Sequence, residues 1–114
     1  METQLSVNQK LFARNVGKLI DFIYSSDYSC TLGEVFRTPE QAKIYAAEGK
    51  GIVDSQHCKR LAIDINLFLP MGVYLENTKD YEPIGKYWES LHPLNRWGGR
   101  FPKADGNHME MKDK

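Results

Sequence analysis

The stretch SQHCKRLAIDINLFL, residues 55–69, decides the fold. From Leu61 onward every second residue is a leucine or isoleucine, and in an extended chain these side chains share one face. The opposite face is mixed and carries Asp64. The alternation therefore predicts a strand over residues 61–69 that buries one face in the core and turns Asp64 away from it.

Helices are predicted before and after this strand in the sequence. The first, capped by Ser6, extends to about Ile23, and the second lies between Thr38 and Gly49. A third, shorter helix is predicted from Pro83 to about Leu91. A last short strand is expected near His108 to Met111, and the glycine-containing residues 97–101 are expected to form a loop. Helices followed by strands close in sequence predict an α+β domain with a mostly antiparallel sheet.

Composition narrows the class of protein. The 114 residues predict a single domain over residues 1–114, and we expect a monomer. Lys plus Arg and Asp plus Glu are both 15, so the basic excess typical of nucleic-acid binders is missing. No apolar run approaches the ~20 residues that span a bilayer, so no membrane partner is expected. The N-terminus has no signal-peptide pattern, which predicts synthesis in the cytoplasm.

Two of the three histidines lie close to carboxylates in the sequence. His57 precedes Asp64 by seven residues, and His108 follows Asp105 by three. Two histidine nitrogens and one carboxylate oxygen are a common ligand set for catalytic zinc, and a further carboxylate can act as a base. Residues seven apart on a straight strand point to opposite faces, so His57 and Asp64 meet at one metal only if the chain bends between them. Surface or structural histidines are the alternative.

The sequence around these residues resembles the M15 zinc peptidases, which include D-alanyl-D-alanine carboxypeptidases, VanY-like enzymes and phage L-alanyl-D-glutamate endolysins. Residues 55–64 are similar to the family signature S-x-H-x-x-G-x-A-x-D, and residues 105–108 to its second element, an acidic residue three before a histidine. Residues 97–101 resemble the W-G-G-x-[FW] segment of the phage-type branch, and residues 37–41 the R-[ST]-x-x-[EQ] segment. The four motifs occur in the family order over about two thirds of the chain.

The resemblance implies specific roles for five residues. His57, Asp64 and His108 would bind Zn²⁺. Asp105 would be the general base, and Arg37 would face the scissile carbonyl or a substrate carboxylate, since a guanidinium offers two directed donors.

Three further residues are candidates for supporting roles. Ser55 could hydrogen-bond the substrate or orient His57, the alternative being a turn residue. Trp97 is a candidate for a substrate-binding cleft rim, the alternative being a core position. Glu110 lies two residues past His108, so in an extended segment the two share a face and Glu110 could orient the imidazole. The alternative for Glu110 is simple solvent exposure.

One position departs from the family pattern. Arg60 stands where the family usually has the glycine that would ease the bend between the first two ligands. We therefore expect Arg60 to avoid the left-handed conformation, or the chain to bend elsewhere.

The resemblance implies a small α+β domain of the Hedgehog/DD-peptidase-like type, with helices packed on the sheet that carries the zinc site. It also implies a zinc metallopeptidase that hydrolyses an amide bond in peptidoglycan stem peptides, as a phage-type L-alanyl-D-glutamate endolysin acting on the bacterial wall after release, or associated with a phage particle. The alternatives are a D,D-carboxypeptidase and a non-catalytic phage module on the same fold. A structural zinc protein would need a fourth ligand, for which Cys58 is the candidate.

Overall fold

A computed structural model describes residues 2–113. In this part of the chain there are three α-helices: α1 (Gln4–Tyr24), α2 (Pro39–Ala47) and α3 (Glu82–Ser90). The strands are β1 (Ser29–Leu32), β2 (Ala62–Leu69), β3 (Val73–Tyr74), β4 (Asn95–Trp97) and β5 (His108–Met111). These elements confirm the predicted α+β class. None of the described helices combines the length and apolarity that crossing a bilayer requires.

The sheet is antiparallel at every pairing described, with β2 in its interior. The strand order is β1-β2-β5-β4, and β3 pairs with the far end of β2. The register of β2 and β5 places Asp64 opposite His108 and Ala62 opposite Glu110. The prediction of a loop at residues 97–101 is partly wrong, because Trp97 ends β4 and pairs with Met109 of β5.

The core lies against one face of β2, as the alternation predicts, except that Leu69 at the end of the pattern is 36% exposed. Leu61, Ile63, Ile65 and Leu67 are at most 3% exposed. Phe12, Leu19 and Ile23 of α1 and Trp88 of α3 pack in the same cluster. Full burial of one such aliphatic or aromatic side chain stabilises a fold by about 1.5–3 kcal/mol. This packing anchors β2 in the core, and Asp64 projects from the opposite face of the strand.

Side-chain caps set the starts of the first two helices. The predicted cap at Ser6 is wrong: Thr3 caps α1, and its hydroxyl accepts a hydrogen bond from the backbone N–H of Ser6 (3.0 Å). Thr38 caps α2 as predicted and accepts from the N–H of Gln41 (3.1 Å). The second cap directly follows Arg37 and therefore fixes where the chain enters α2 after that residue.

The chain bends at Arg60, between His57 and β2. Residues Gln56–Lys59 form a 3-10 turn that ends at Arg60, whose φ of 55° and ψ of 38° are left-handed. The expectation that a non-glycine residue would avoid this conformation is wrong. The Arg60 guanidinium lies 4.1 Å from the centroid of the Phe36 ring, and this cation–π contact offsets part of the cost of the left-handed backbone.

Candidate metal centre

Three side chains with metal-binding atoms converge beside β2. Nε2 of His57 and Nδ1 of His108 each lie 3.4 Å from Oδ1 of Asp64. One ligand atom from each residue lies within 4.8 Å of the others. Oδ1 of Asp64 is buried and lacks a well-formed hydrogen bond, which is costly unless a cation or another partner satisfies it. Two imidazole nitrogens and one carboxylate oxygen are a donor set that fits zinc.

The fold explains why residues distant in sequence meet here. Asp64 lies on the face of β2 opposite the core, and its register partner on β5 is His108. On β5, Met109 and Met111 alternate into the core, so His108 and Glu110 point to the other side. The bend at residue 60 then returns His57 to the same face.

Two of the three candidate ligands, Asp64 and His108, have shifted pKa values in the metal-free protein. Burial alone would raise the pKa of Asp64, but its interactions with His108 and His57 outweigh burial and lower that pKa to about 2. Burial alone would lower the pKa of His108, but Asp64 and Glu110 outweigh it and raise that pKa to about 9. The site therefore holds a carboxylate and an imidazolium, and a divalent cation would take the place of the imidazolium proton.

Glu110 lies behind His108, where the sequence placed it. Its Oε1 is 2.7 Å from Nε2 of His108, and both side chains are buried. Arg96 of β4 pairs with Oε2 of Glu110, and its Nε is 2.9 Å away. Burial would raise the pKa of Glu110, but His108 and Arg96 outweigh it and the pKa is lowered. Sequence reasoning missed Arg96, because only the β4–β5 register brings it opposite Glu110.

Asp105 stands at the open side of the cluster. Its Oδ2 is 3.9 Å from Nδ1 of His108, and its side chain is about half exposed. Burial is the main cause that raises its pKa. The N–H of Asp105 donates to the carbonyl of Gly98 (2.9 Å), and a Cβ on Gly98 would lie only 2.4 Å from the Asp105 carbonyl oxygen. Glycine at position 98 is therefore required for this loop to hold Asp105 beside the ligands.

Arg37 and Ser55 lie on the other side of His57. The Ser55 hydroxyl accepts from the backbone N–H of His57 (3.2 Å) and lies 3.4 Å from Nη1 of Arg37. The Arg37 guanidinium also lies 4.9 Å from the centroid of the Tyr45 ring. Its Nε is buried without a hydrogen-bond partner, so one of its donors is uncommitted. Ser55 thus caps the 3-10 turn that contains His57, which is the turn-residue alternative, and its role toward the substrate or the His57 imidazole stays a prediction.

Sequence reasoning also missed Glu34. Nη2 of Arg37 is 2.5 Å from Oε1 of Glu34, and Nδ1 of His57 is 3.6 Å from the same oxygen. The only local signal is an acidic residue three positions before Arg37.

The cluster opens into a cavity of about 910 Å³. Its lining includes Arg37, His57, Asp64, Asp105 and His108. A cleft of this size can accept a short peptide segment, and its polar groups converge at one end as in ligand sites generally. The arrangement brings together a set of candidate metal ligands, a candidate base and the Arg37 guanidinium around one cavity.

Trp97 does not form the cleft rim expected for it. Its side chain is 4% exposed, and its indole N–H donates to the carbonyl of Gly106 (2.7 Å). The ring packs so closely that a Cβ on Gly85 or on Gly99 would lie 2.2 Å from it. The tryptophan is thus a core residue that supports the loop carrying Asp105.

Cys58 does not join the cluster of His57, Asp64 and His108. Its thiol lies 4.0 Å from the carbonyl oxygen of Thr38. The described residues therefore offer three protein ligands with an open side, which is typical of catalytic rather than structural zinc sites.

Comparisons with known proteins agree with this geometry. No curated protein sequence matches the chain. Among solved structures, the L-Ala D-Glu endopeptidase ChiX of Serratia marcescens is similar, with a TM-score of 0.73 and 16% identity over 98% of this chain and 89% of that one. At this identity the similarity shows the fold. A peptidase M15 family model described as D-alanyl-D-alanine carboxypeptidase matches residues 48–111, more than half of the sequence. This chain therefore belongs to the M15 peptidase family.

Proposed function

We propose that this protein is a zinc-dependent peptidase that hydrolyses an amide bond in the stem peptides of bacterial peptidoglycan. The observation that carries the proposal is the convergence of His57, Asp64 and His108 beside the half-exposed Asp105 in an open cavity. A ligand set alone would serve binding, but a carboxylate held next to it is what general-base catalysis requires.

The bond we favour joins L-alanine to D-glutamate. Two observations support this choice: the overall similarity to ChiX, which is itself an L-Ala D-Glu endopeptidase, and the phage-type motif at residues 97–101. The same motif favours an endolysin or another phage-associated wall enzyme. The family description favours a D,D-carboxypeptidase as the second candidate, and both reactions use the same chemistry.

His57, Asp64 and His108 would hold the zinc ion. When bound, it would supply Lewis-acid activation of the scissile amide and of the attacking water. The neighbours of these ligands then matter for orientation. Ser55 fixes the backbone of His57, and Glu110 contacts the far nitrogen of His108.

Asp105 would accept a proton from the attacking water at Oδ2, the oxygen nearest the ligands, and would donate it to the leaving amine. Its raised pKa suits the first half of this exchange, because a more basic carboxylate takes the proton more readily. Arg37 lines the cavity and would donate a guanidinium N–H to the carbonyl oxygen as negative charge develops there. Its contacts with Ser55 and Glu34 hold the guanidinium in place for this task.

Digestion of purified peptidoglycan by the wild type and by Asp105→Ala tests the proposal. Both proteins are loaded with zinc, their metal content is verified, and newly freed amino termini are labelled and identified. We expect new termini from the wild type and a loss of about 10²–10⁴-fold in rate for Asp105→Ala with zinc retained. Asp27→Ala, an exposed carboxylate in the turn after α1, is the matched control and should keep full activity.

The identity of the new terminus decides between the candidates. A glutamate terminus identifies the L-Ala-D-Glu bond, whereas release of free D-alanine identifies the carboxypeptidase. If zinc-loaded wild type frees nothing from several wall chemotypes, the enzyme proposal fails and a non-catalytic binding module replaces it.

A further inference from the structure

His57 has two ring nitrogens with different surroundings. Nε2 faces Asp64 and the other ligands, at 3.4 Å from Oδ1. Nδ1 points away from the ligands and is buried without a hydrogen-bond partner. The polar atom that it faces is Oε1 of Glu34, at 3.6 Å. This distance is about 0.6 Å longer than a typical N–H···O hydrogen bond, so the two side chains must move closer for the bond to form.

The backbone holds Glu34 in this position. The carbonyl of Glu34 accepts a hydrogen bond from the N–H of Asp64 (3.1 Å), and the N–H of Gly33 donates to the carbonyl of Asp64 (2.7 Å). Three residues later, the N–H of Arg37 donates to the carbonyl of His57 (3.1 Å). The segment from Gly33 to Arg37 is thus joined by backbone hydrogen bonds to both ligand-bearing segments.

Each of the two histidine ligands has a carboxylate beside its second ring nitrogen and an arginine paired with that carboxylate. Glu110 contacts Nε2 of His108 and pairs with Arg96, while Glu34 faces Nδ1 of His57 and pairs with Arg37. In each case a carboxylate lies behind the ring and an arginine balances its charge. A histidine ligand commonly donates its second ring N–H to such a carboxylate, which fixes the tautomer and the ring orientation.

We infer that Glu34 is a positioning residue for the metal site: it accepts a hydrogen bond from Nδ1–H of His57 and so holds Nε2 toward the zinc ion. This inference rests on the proposed function, because it takes His57 as a zinc ligand. It gives Glu34 a role that is separate from its ion pair with Arg37. The two roles make different predictions for substitutions at the two residues.

Zinc affinity of three variants separates these roles. Glu34→Ala removes the acceptor and should weaken zinc binding by about 10- to 100-fold. Glu34→Gln keeps a neutral acceptor oxygen and should lose less. Arg37→Met removes the ion pair but leaves the carboxylate, so its zinc affinity should stay within about threefold of wild type. Glu76→Ala, an exposed glutamate after β3, is the matched control.

A spectroscopic readout tests the hydrogen bond without any turnover. In zinc-loaded protein with ¹⁵N-labelled histidine, the Nδ1–H proton of His57 should be protected from exchange in the wild type, in Glu34→Gln and in Arg37→Met. It should exchange rapidly in Glu34→Ala. Thermal unfolding of each metal-free variant checks that the fold persists.

The outcomes distinguish the two proposals. If wild type binds zinc and the zinc affinity of Glu34→Ala lies within about twofold of the wild-type affinity, the positioning role is wrong while the proposed function stands. If Arg37→Met loses as much affinity as Glu34→Ala, the ion pair and not the hydrogen bond is responsible, and the inference also fails. If wild type itself binds no zinc, the proposed function fails first.

Discussion

Nε2 of His108 lies 2.7 Å from Oε1 of Glu110, and the two buried side chains project from the same face of β5. The contact directs Nδ1 of His108 toward Asp64, because the second nitrogen is already occupied. Of the two neutral tautomers of His108, it favours the one with hydrogen on Nε2, which is the form that can bind a metal through Nδ1 once the second proton is lost.

Replacing Glu110 with alanine should weaken zinc binding by about 10- to 100-fold, because the His108 ring loses the acceptor that orients it. Competition with a chromophoric chelator measures the affinity. Glu82→Ala, which removes only an exposed pair with Lys86, is the control and should bind zinc as wild type does. Unchanged affinity in the Glu110 variant would show that packing alone orients His108.

The stability of the metal-free protein should fall as the pH rises from about 6.5 to 9. Folding raises the pKa of His108 from 6.5 to about 9, so the folded state binds this proton more tightly than the unfolded chain does. The resulting stabilisation is complete below pH 6.5 and disappears as the pH passes through 9. Urea unfolding in the presence of a chelator measures it, and His108→Asn should flatten the dependence. An equally steep dependence in that variant would contradict the assignment.

Asp64 should make the stability of the metal-free protein depend on pH in the acidic range. Its pKa falls from 3.8 to about 2 on folding, so its contribution is complete above pH 3.8 and is lost as the pH falls toward 2. Acid unfolding of metal-free Asp64→Asn should therefore show a weaker dependence on pH below 4 than wild type. Identical acid transitions in the two proteins would exclude this contribution.

Zinc binding should release at least one proton near pH 7.5. The raised pKa of His108 means that the metal-free site holds this proton at neutral pH, and a metal ion must displace it. Calorimetry in buffers of different ionisation enthalpy counts the protons, and the count should decrease above pH 9. Binding heats that do not depend on the buffer would rule out a protonated His108.

Arg60→Gly should change the free energy of unfolding by no more than about 1 kcal/mol. Glycine relieves the left-handed backbone, worth about 1–2 kcal/mol, but it loses the contact with Phe36 and makes the unfolded chain more flexible. Arg60→Val loses the same contact and adds a β-branched residue at positive φ. The valine variant should therefore be the less stable of the two in chemical denaturation. Equal stabilities would mean that the backbone at residue 60 leaves the left-handed conformation in the valine variant.

Sequence patterns predicted those features that depend on local periodicity. The alternation of residues 61–69 identified the buried face of β2, and Thr38 identified the start of α2. The position of Glu110 beside His108 follows from the same rule, because residues two positions apart on a strand lie on the same face.

Features that depend on tertiary structure could not be predicted in this way. Glu34 and Arg96 reach the histidines only through strand register and backbone hydrogen bonds between distant segments. Trp97 was a candidate for the cleft rim with a core position as the alternative, and it lies in the core because Gly85 and Gly99 let the ring pack closely against them. Arg60 adopts the conformation usual for glycine, and its contact with the Phe36 ring offsets part of the cost.

The pairing of Asp64 with His108 has a consequence for how the protein matures. The two residues face each other only in one alignment of β2 with β5, and a slip by one residue would turn a side chain to the opposite face. A misaligned sheet would therefore lose its metal site together with its buried face. The amount of metal bound per mole of protein should then equal the fraction of molecules whose strands have reached the native alignment. The metal that stays bound when a weak chelator is added would report the yield of correct folding.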